Sequence, residues 1–199
     1  MTGNGASDRQ GPWEARWREG RTGWDRGGVS PALSAWLEAD AIPGRRVLVP
    51  GAGRGYEVEA LAERGYQVTA VDIAAEACRR LRQGLSAQGL EARVEEADLL
   101  HWRPSATFDA VYEQTCLCAL EPLLWPRYEQ CLYRWLRPGG ALLALFMHTG
   151  KVGGPPFHCA LTEMAQLFTP ARWRWPAEPP AHWPHPSGRW EAGVRLIRD

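Results

Sequence analysis

The chain has 199 residues, enough for one domain with a sizeable core. Lys plus Arg and Asp plus Glu number 23 each, so the formal charge is zero and nothing electrostatic favours nucleic acid or an anionic membrane as a partner. No apolar run approaches the roughly 20 residues needed to span a bilayer, and the polar opening, residues 1–10, is not a signal peptide.

Residues 1–11 are expected to form a disordered leader. Over residues 12–20, Trp13 and Trp17 stand four apart on one face of a short helix. A Gly-rich loop follows over 21–30. Ser30-Pro31 then reads as an N-cap with proline in the first turn, opening a helix to about Glu38. Residues 12–42 are thus expected as a helical cover and 45–199 as the core of a single domain. Within that core, strands are predicted over 45–50, 67–72, 92–96, 108–113, 141–148 and 189–197. Helices are predicted over 56–64, 75–88, 126–136 and 161–168. Gly65 and Gly89 close the first two of these helices, and Pro138-Gly-Gly140 turns the chain into the fifth strand. The Pro-rich segment 175–187 reads as a surface loop whose His182, Trp183 and His185 either cover a site or decorate the surface. Strands alternating with helices predict an α/β fold, a mostly parallel sheet covered on both faces. The five cysteines, Cys78, Cys116, Cys118, Cys131 and Cys159, lack metal-type spacing and read as reduced thiols of a cytoplasmic protein.

The chemistry-bearing pattern is Val47-Leu-Val-Pro-Gly51-Ala-Gly53-Arg-Gly55, followed by Val68-Thr-Ala-Val-Asp72. A buried strand that breaks into a glycine turn, with an acid ending the next strand, suits a ribose-bearing cofactor at the carboxyl edge of a sheet. The spacing is Gly-x-Gly-x-Gly, and the position of a dinucleotide site's third glycine holds Tyr56. That points to S-adenosylmethionine, which has no pyrophosphate. Asp72 can accept two hydrogen bonds from a ribose diol, or cap the helix from Ala75. Asp98 and the backbone of Leu99, after strand three, suit an adenine, or else a solvated turn. Glu113 and Gln114, ending strand four, face the methionine part or the substrate. A nicotinamide enzyme and a non-catalytic binding module are the alternatives, although no Tyr-x-x-x-Lys pair for hydride transfer is present.

Eleven tryptophans are many for this length. Trp13, Trp17 and Trp24 precede the sheet, and either dock the first helix or surround a sulfonium through cation–π attraction. The run Trp13-Glu-Ala-Arg-Trp17-Arg-Glu-Gly-Arg-Thr-Gly-Trp24-Asp25 resembles the opening of the thiopurine S-methyltransferase superfamily, closest to its halide/thiol methyltransferase branch. Val47-Leu-Val-Pro-Gly-Ala-Gly53, Val71-Asp-Ile73, Cys118-Ala-Leu-Glu-Pro122, Leu136-Arg-Pro-Gly-Gly140, Gly153-Gly-Pro-Pro-Phe157 and Gly188-Arg-Trp190 extend the resemblance in order. It implies a class I S-adenosylmethionine-dependent methyltransferase fold, Rossmann-like, and methyl transfer to sulfur or halide. It also implies cofactor contacts at Trp13, Trp17, Trp24, Gly51, Gly53, Asp72, Ile73, Asp98, Leu99, Glu113, Gln114 and Arg127. In the thiopurine branch leucine usually stands in place of Gly51 and glutamate in place of Asp72; the halide/thiol branch shares the aspartate.

The expected chemistry is in-line displacement on a small-molecule nucleophile, for which alignment and desolvation suffice. A halide or hydrosulfide needs no base, and a thiol with pKa near about 8.5 is already partly ionised. If a base operates, His148 at the end of strand five is the candidate, with capping of the following loop as its other role. Phe157 is expected either to line the substrate pocket or to pack in the core. No metal is expected, and the chain is expected to act as a monomer or weak homo-oligomer.

Overall fold

The computed structural model describes residues 5–199, with side chains from residue 9 onward. An N-terminal helix α1 (Gly5–Arg18) and α2 (Pro31–Glu38) precede the sheet. Five strands then run with intervening helices: β1 (Arg46–Pro50), α3 (Tyr56–Glu63), β2 (Gln67–Asp72), α4 (Ala75–Gln88), β3 (Arg93–Glu96), β4 (Phe108–Gln114), α5 (Trp125–Trp135) and β5 (Leu136–His148). The chain closes with α6 (Leu161–Leu167), β6 (Trp173–Arg174), β7 (Ala181–Pro184) and β8 (Trp190–Arg198).

The strand order is 3-2-1-4-5-8-6, with β7 on the same edge of β8 as β6. Strands β1 to β5 are parallel, and β8 runs antiparallel beside β5. Five carboxyl ends therefore meet at one edge of the sheet. Because β8 is reversed, its first residue, Trp190, lies at that edge too, opposite His148. Strand order reverses between β1 and β4, the place where open α/β sheets bind ligands.

Side-chain alternation sorts each strand between two cores. Val47, Val49, Ala110, Tyr112 and Leu143 pack with residues of α2, α3 and α4. Leu48, Val111, Leu142, Ala144 and Phe146 pack with α5 and α6 around Tyr128, Trp135 and Phe168. Both faces of the sheet are thus covered, as the strand–helix alternation predicted.

Several elements depart from expectation: β5 begins at Leu136 instead of Ala141, β6 was not among the predicted strands, and α1 and β7 differ as follows. Residues 5–11, read as leader, form the first turns of α1; residues 1–4 lie outside the described residues. The helix is held by long-range contacts that local sequence does not show. Arg9 pairs with Asp98, Gln10 Nε2 donates to Glu96 at 3.1 Å, and Glu14 accepts the Glu76 N–H at 3.1 Å, capping α4 where Ala74 has no capping side chain. The Pro-rich stretch is no plain loop either, since it contains β7. There Trp183 packs against Gly193, which has no side chain to obstruct the ring, and His182 stacks on Trp190 at 4.4 Å.

Ser30 caps α2, its hydroxyl accepting the Ala32 N–H at 3.3 Å, and it is fully buried. Its own N–H donates to Glu57 at 3.0 Å, which ties the cover to the first turn of α3. Ser30→Ala should cost about 1 kcal/mol and lower the Tm by about 2–4 °C, read by thermal denaturation.

Candidate functional site

The glycine turn is built by backbone geometry. Gly51, Gly53 and Gly55 all have positive φ, at 61°, 54° and 88°. The Gly51 N–H donates to the Val71 carbonyl at 2.8 Å, which holds the turn to β2. A Cβ on Gly51 would press on Cys116 at 3.0 Å. The turn leaves a space that side chains would fill.

Asp72 ends β2 beside it. Its two carboxylate oxygens accept the Gly53 and Ala74 N–H groups, each at 2.9 Å. The carboxylate thus restrains the start of α4 and also lines the cavity. Burial pushes its pKa up, and the backbone donors pull it down. Each oxygen retains an acceptor site.

A cavity of about 340 Å³ opens at this edge. It runs in strand order from Asp98 and Leu99 after β3, past Asp72, Ile73 and the glycine turn, to Gln114 at the end of β4 and Met147 on β5. Its roof is the N-terminal segment. Trp13 and Trp17 each meet Trp24 edge to face, at 5.4 and 5.9 Å, and all three rings line the cavity. Trp17 is 3% exposed and also packs on Ala74 and Ala77 of α4, so one stripe of rings both docks the helix and walls the site.

Asp98 meets Arg9 and His101 and accepts the Leu100 N–H at 3.0 Å. Burial alone would raise its pKa, but the Arg9 and His101 hydrogen bonds outweigh it and hold the carboxyl below its usual range.

Four expected site residues stand elsewhere. Glu113 is buried beneath the cavity floor, accepting the Leu117 N–H at 2.6 Å, because alternation along β4 turns it away from Gln114. Arg127 lies on the exposed side of α5 and donates to the Leu100 carbonyl at 3.1 Å, outside the cavity. His148 faces the sheet side opposite Met147, stacked on Trp190 at 3.8 Å and edge to face with His158 at 5.0 Å. It is therefore not directed at the site. Phe157 packs on the α5–α6 core while its N–H donates to the Cys118 carbonyl at 2.7 Å; Pro155 and Pro156 of the same motif line the cavity instead.

Arg26 and Glu57 are lining groups that the sequence did not mark. Arg26, from the Gly-rich loop, donates to Glu191 at 3.3 Å and to the Pro184 carbonyl at 2.8 Å. Gln114 donates to the same Glu191 carboxylate at 3.1 Å. Glu57 and His185 complete this end of the wall. Nothing in the sequence marked Arg26 or Glu57; both reach the site only because the loop 21–30 folds back over the sheet edge. His185, read from the sequence as either covering a site or decorating the surface, lines the cavity.

These residues fit S-adenosylmethionine. A half-buried carboxylate with spare acceptor sites suits a ribose, a glycine-rich turn allows close approach of a ligand, and three indole rings suit a sulfonium. Fold and cavity define a class I S-adenosylmethionine-dependent methyltransferase. The family model for thiopurine S-methyltransferase matches residues 8–179, and the chain belongs to that family.

A probable thiol methyltransferase 2 of Arabidopsis thaliana is 32% identical over 168 residues, covering 83% of this chain and 74% of that protein. Thiocyanate methyltransferase 1 of Brassica oleracea is 31% identical over 164 residues, covering 81% and 73%. A thiopurine S-methyltransferase of Legionella pneumophila is 29% identical over 174 residues, covering 78% and 79%. Among solved structures, a Burkholderia thailandensis 1,6-didemethyltoxoflavin-N1-methyltransferase with bound S-adenosylhomocysteine shares the fold, with TM-score 0.78, 22% identity and coverage of 98% and 88%. S-adenosylmethionine is thus the methyl donor, and the nicotinamide alternative falls away. Among the described residues no helix is long and apolar enough to cross a membrane, and no cluster of ligating side chains suits a metal.

Beneath the site, burial pushes the Glu113 carboxyl up to about 8 and that of Glu191 up to about 7. Each keeps in the fold a proton that the unfolded chain releases above about 4.5. Their contribution to stability is full below about pH 4.5 and is lost as pH rises through about 7 to 8. Thermal melts should show Tm falling over that window. Glu113→Gln should flatten the fall; an unaltered slope would mean that Glu113 stays ionised in the fold.

Proposed function

We propose that this enzyme methylates a small, soft, anionic nucleophile: a thiolate, thiocyanate, hydrosulfide or halide ion. The observation carrying this reading is Arg26. Its guanidinium is only 11% exposed, yet it lines the cavity at the end away from Asp72 and Asp98. A largely buried cation in a cavity that Cys118, Met147 and Pro155 also line favours an anion stripped of water. The relatives named above act, by their names, on thiols, thiocyanate and thiopurines, which supports sulfur as the acceptor atom.

S-adenosylmethionine supplies an electrophilic methyl group on a sulfonium leaving group. Asp72 would hold the ribose hydroxyls, and Asp98 with Leu99 the adenine. Ile73 and the glycine turn at Gly51 and Gly53 would pack against the nucleoside. Trp13, Trp17 and Trp24 would surround the sulfonium and close the site to water. Arg26 and Gln114, both fastened to Glu191, would keep the acceptor on the opposite side, which is the alignment a displacement needs. No proton need be removed from a halide or thiocyanate, consistent with a site in which His148 faces away. The five cysteines are free, which fits a reducing compartment such as the cytoplasm.

Incubation with S-adenosylmethionine and a panel of iodide, thiocyanate, hydrosulfide and small thiols should yield S-adenosylhomocysteine and the methylated product. Binding of S-adenosylhomocysteine without turnover of any member would refute the anionic-acceptor reading. Asp72→Ala should weaken S-adenosylhomocysteine binding by roughly 10- to 100-fold in isothermal titration, the loss of charge-assisted hydrogen bonds; wild-type affinity would refute the ribose role. Arg26→Gln should raise KM for iodide and thiocyanate roughly tenfold while leaving the cofactor affinity near wild type.

A further inference from the structure

The turn between β7 and β8 brings one imidazole to the acceptor end of the cavity. The His185 N–H donates to the Arg189 carbonyl at 2.9 Å, and the Gly188 N–H donates to the His185 carbonyl at 3.0 Å, which closes a tight turn. The preceding residue, Pro184, accepts from Arg26. His185 is therefore fixed between the hairpin and the cation already assigned to the acceptor.

The ring's two nitrogens are not equivalent. Nδ1 accepts the Ser187 backbone N–H at 3.2 Å and lies 2.7 Å from the Ser187 hydroxyl. A nitrogen that accepts from a backbone N–H carries no proton, so in the neutral ring the proton sits on Nε2. The ring is neutral because burial, with Arg26 and Arg189 nearby, pushes its pKa down to about 4. His185 is 6% exposed and lines the cavity. Its Nε2 is buried without a hydrogen-bond partner. The Trp24 backbone is close enough to favour a proton on the ring, yet no protein atom meets hydrogen-bond geometry with Nε2. Buried donors are almost always satisfied, so an Nε2–H without a protein partner, on a residue that lines the cavity, points to a ligand atom as its acceptor.

We propose that His185 positions the methyl acceptor, donating a hydrogen bond from Nε2 to its nucleophilic sulfur or halide. The inference rests on the anionic-acceptor reading and extends it. Arg26 supplies charge, and His185 supplies direction, a single N–H that sets where the nucleophilic atom rests. The same tautomer disqualifies His185 as a base, because the nitrogen with a free lone pair is turned to Ser187. The site thereby favours acceptors that already carry a lone pair and negative charge.

The test uses steady-state kinetics with iodide and thiocyanate, together with isothermal titration of S-adenosylhomocysteine. His185→Phe keeps a flat ring and removes the donor. It should raise acceptor KM roughly tenfold or more, change kcat less, and leave S-adenosylhomocysteine affinity near wild type. His185→Gln, which restores an N–H, should recover a large part of the loss. Unchanged KM in a His185→Phe enzyme that still binds S-adenosylhomocysteine overturns the proposal. So does parallel loss of acceptor and cofactor binding without rescue by glutamine, which marks a merely structural residue. Should the phenylalanine variant not fold, nitrogen-15 NMR of the wild-type ring decides. Saturating thiocyanate, with S-adenosylhomocysteine bound, should shift the Nε2 resonance of an Nε2-protonated imidazole; an unmoved resonance overturns the proposal. If wild-type enzyme turns over none of the anions, the underlying reading fails instead.

Discussion

The Asp72 carboxylate is the constraint on which the site depends. It ends β2, and its two oxygens take one N–H from the glycine turn and one from the start of α4. Three segments, β1–α3, β2 and α4, are thereby joined at one half-buried carboxylate. Leaving that charge buried without such donors would be costly. The donors thus make the carboxylate tolerable in the fold and leave it facing the cavity. Helix α1 then docks on α4 through Trp17 and Glu14, so the roof of the site is positioned by the same node.

A second node lies under the acceptor end. Glu191 is wholly buried on β8 and gathers Arg26 from the loop and Gln114 from β4. Reversal of β8 is what makes this possible, since an antiparallel strand brings its beginning to the edge where the parallel strands end. The turn leading into β8 consequently brings His185 to the cavity wall. Under the proposed function, Asp72 would serve the donor side and Glu191, through Arg26 and Gln114, the acceptor side. A displacement reaction requires such a separation, because nucleophile and leaving group lie on opposite sides of the transferred carbon.

The tryptophans show how one feature meets two demands. The rings at Trp13, Trp17 and Trp24 pack edge to face on one another and on alanines of α4, which holds an otherwise isolated helix in place. The same rings line the cavity. Spacing along α1 could not separate docking from ligand contact, because in the folded chain the docking face and the cavity wall are continuous.

Local sequence determined most of the strands and helices, but not the first turns of α1, β6 or β7, together with the helix ends at Ser30, Gly65 and Gly89, the parallel α/β order, and the glycine turn with Asp72. Each is set by side-chain period, capping or backbone freedom acting over a few residues. The family was legible as well, because its motifs recur in order along the chain. What the tertiary structure alone decided was which side chains share the cavity. Glu113 and His148 stand one residue from Gln114 and Met147, and strand alternation sends each to the opposite side. Phe157 yields its place to Pro155 and Pro156, while Arg26, Glu57 and His185 arrive from segments distant in sequence. Contacts of that kind depend on strand order, strand direction and loop return, which no short window of sequence contains.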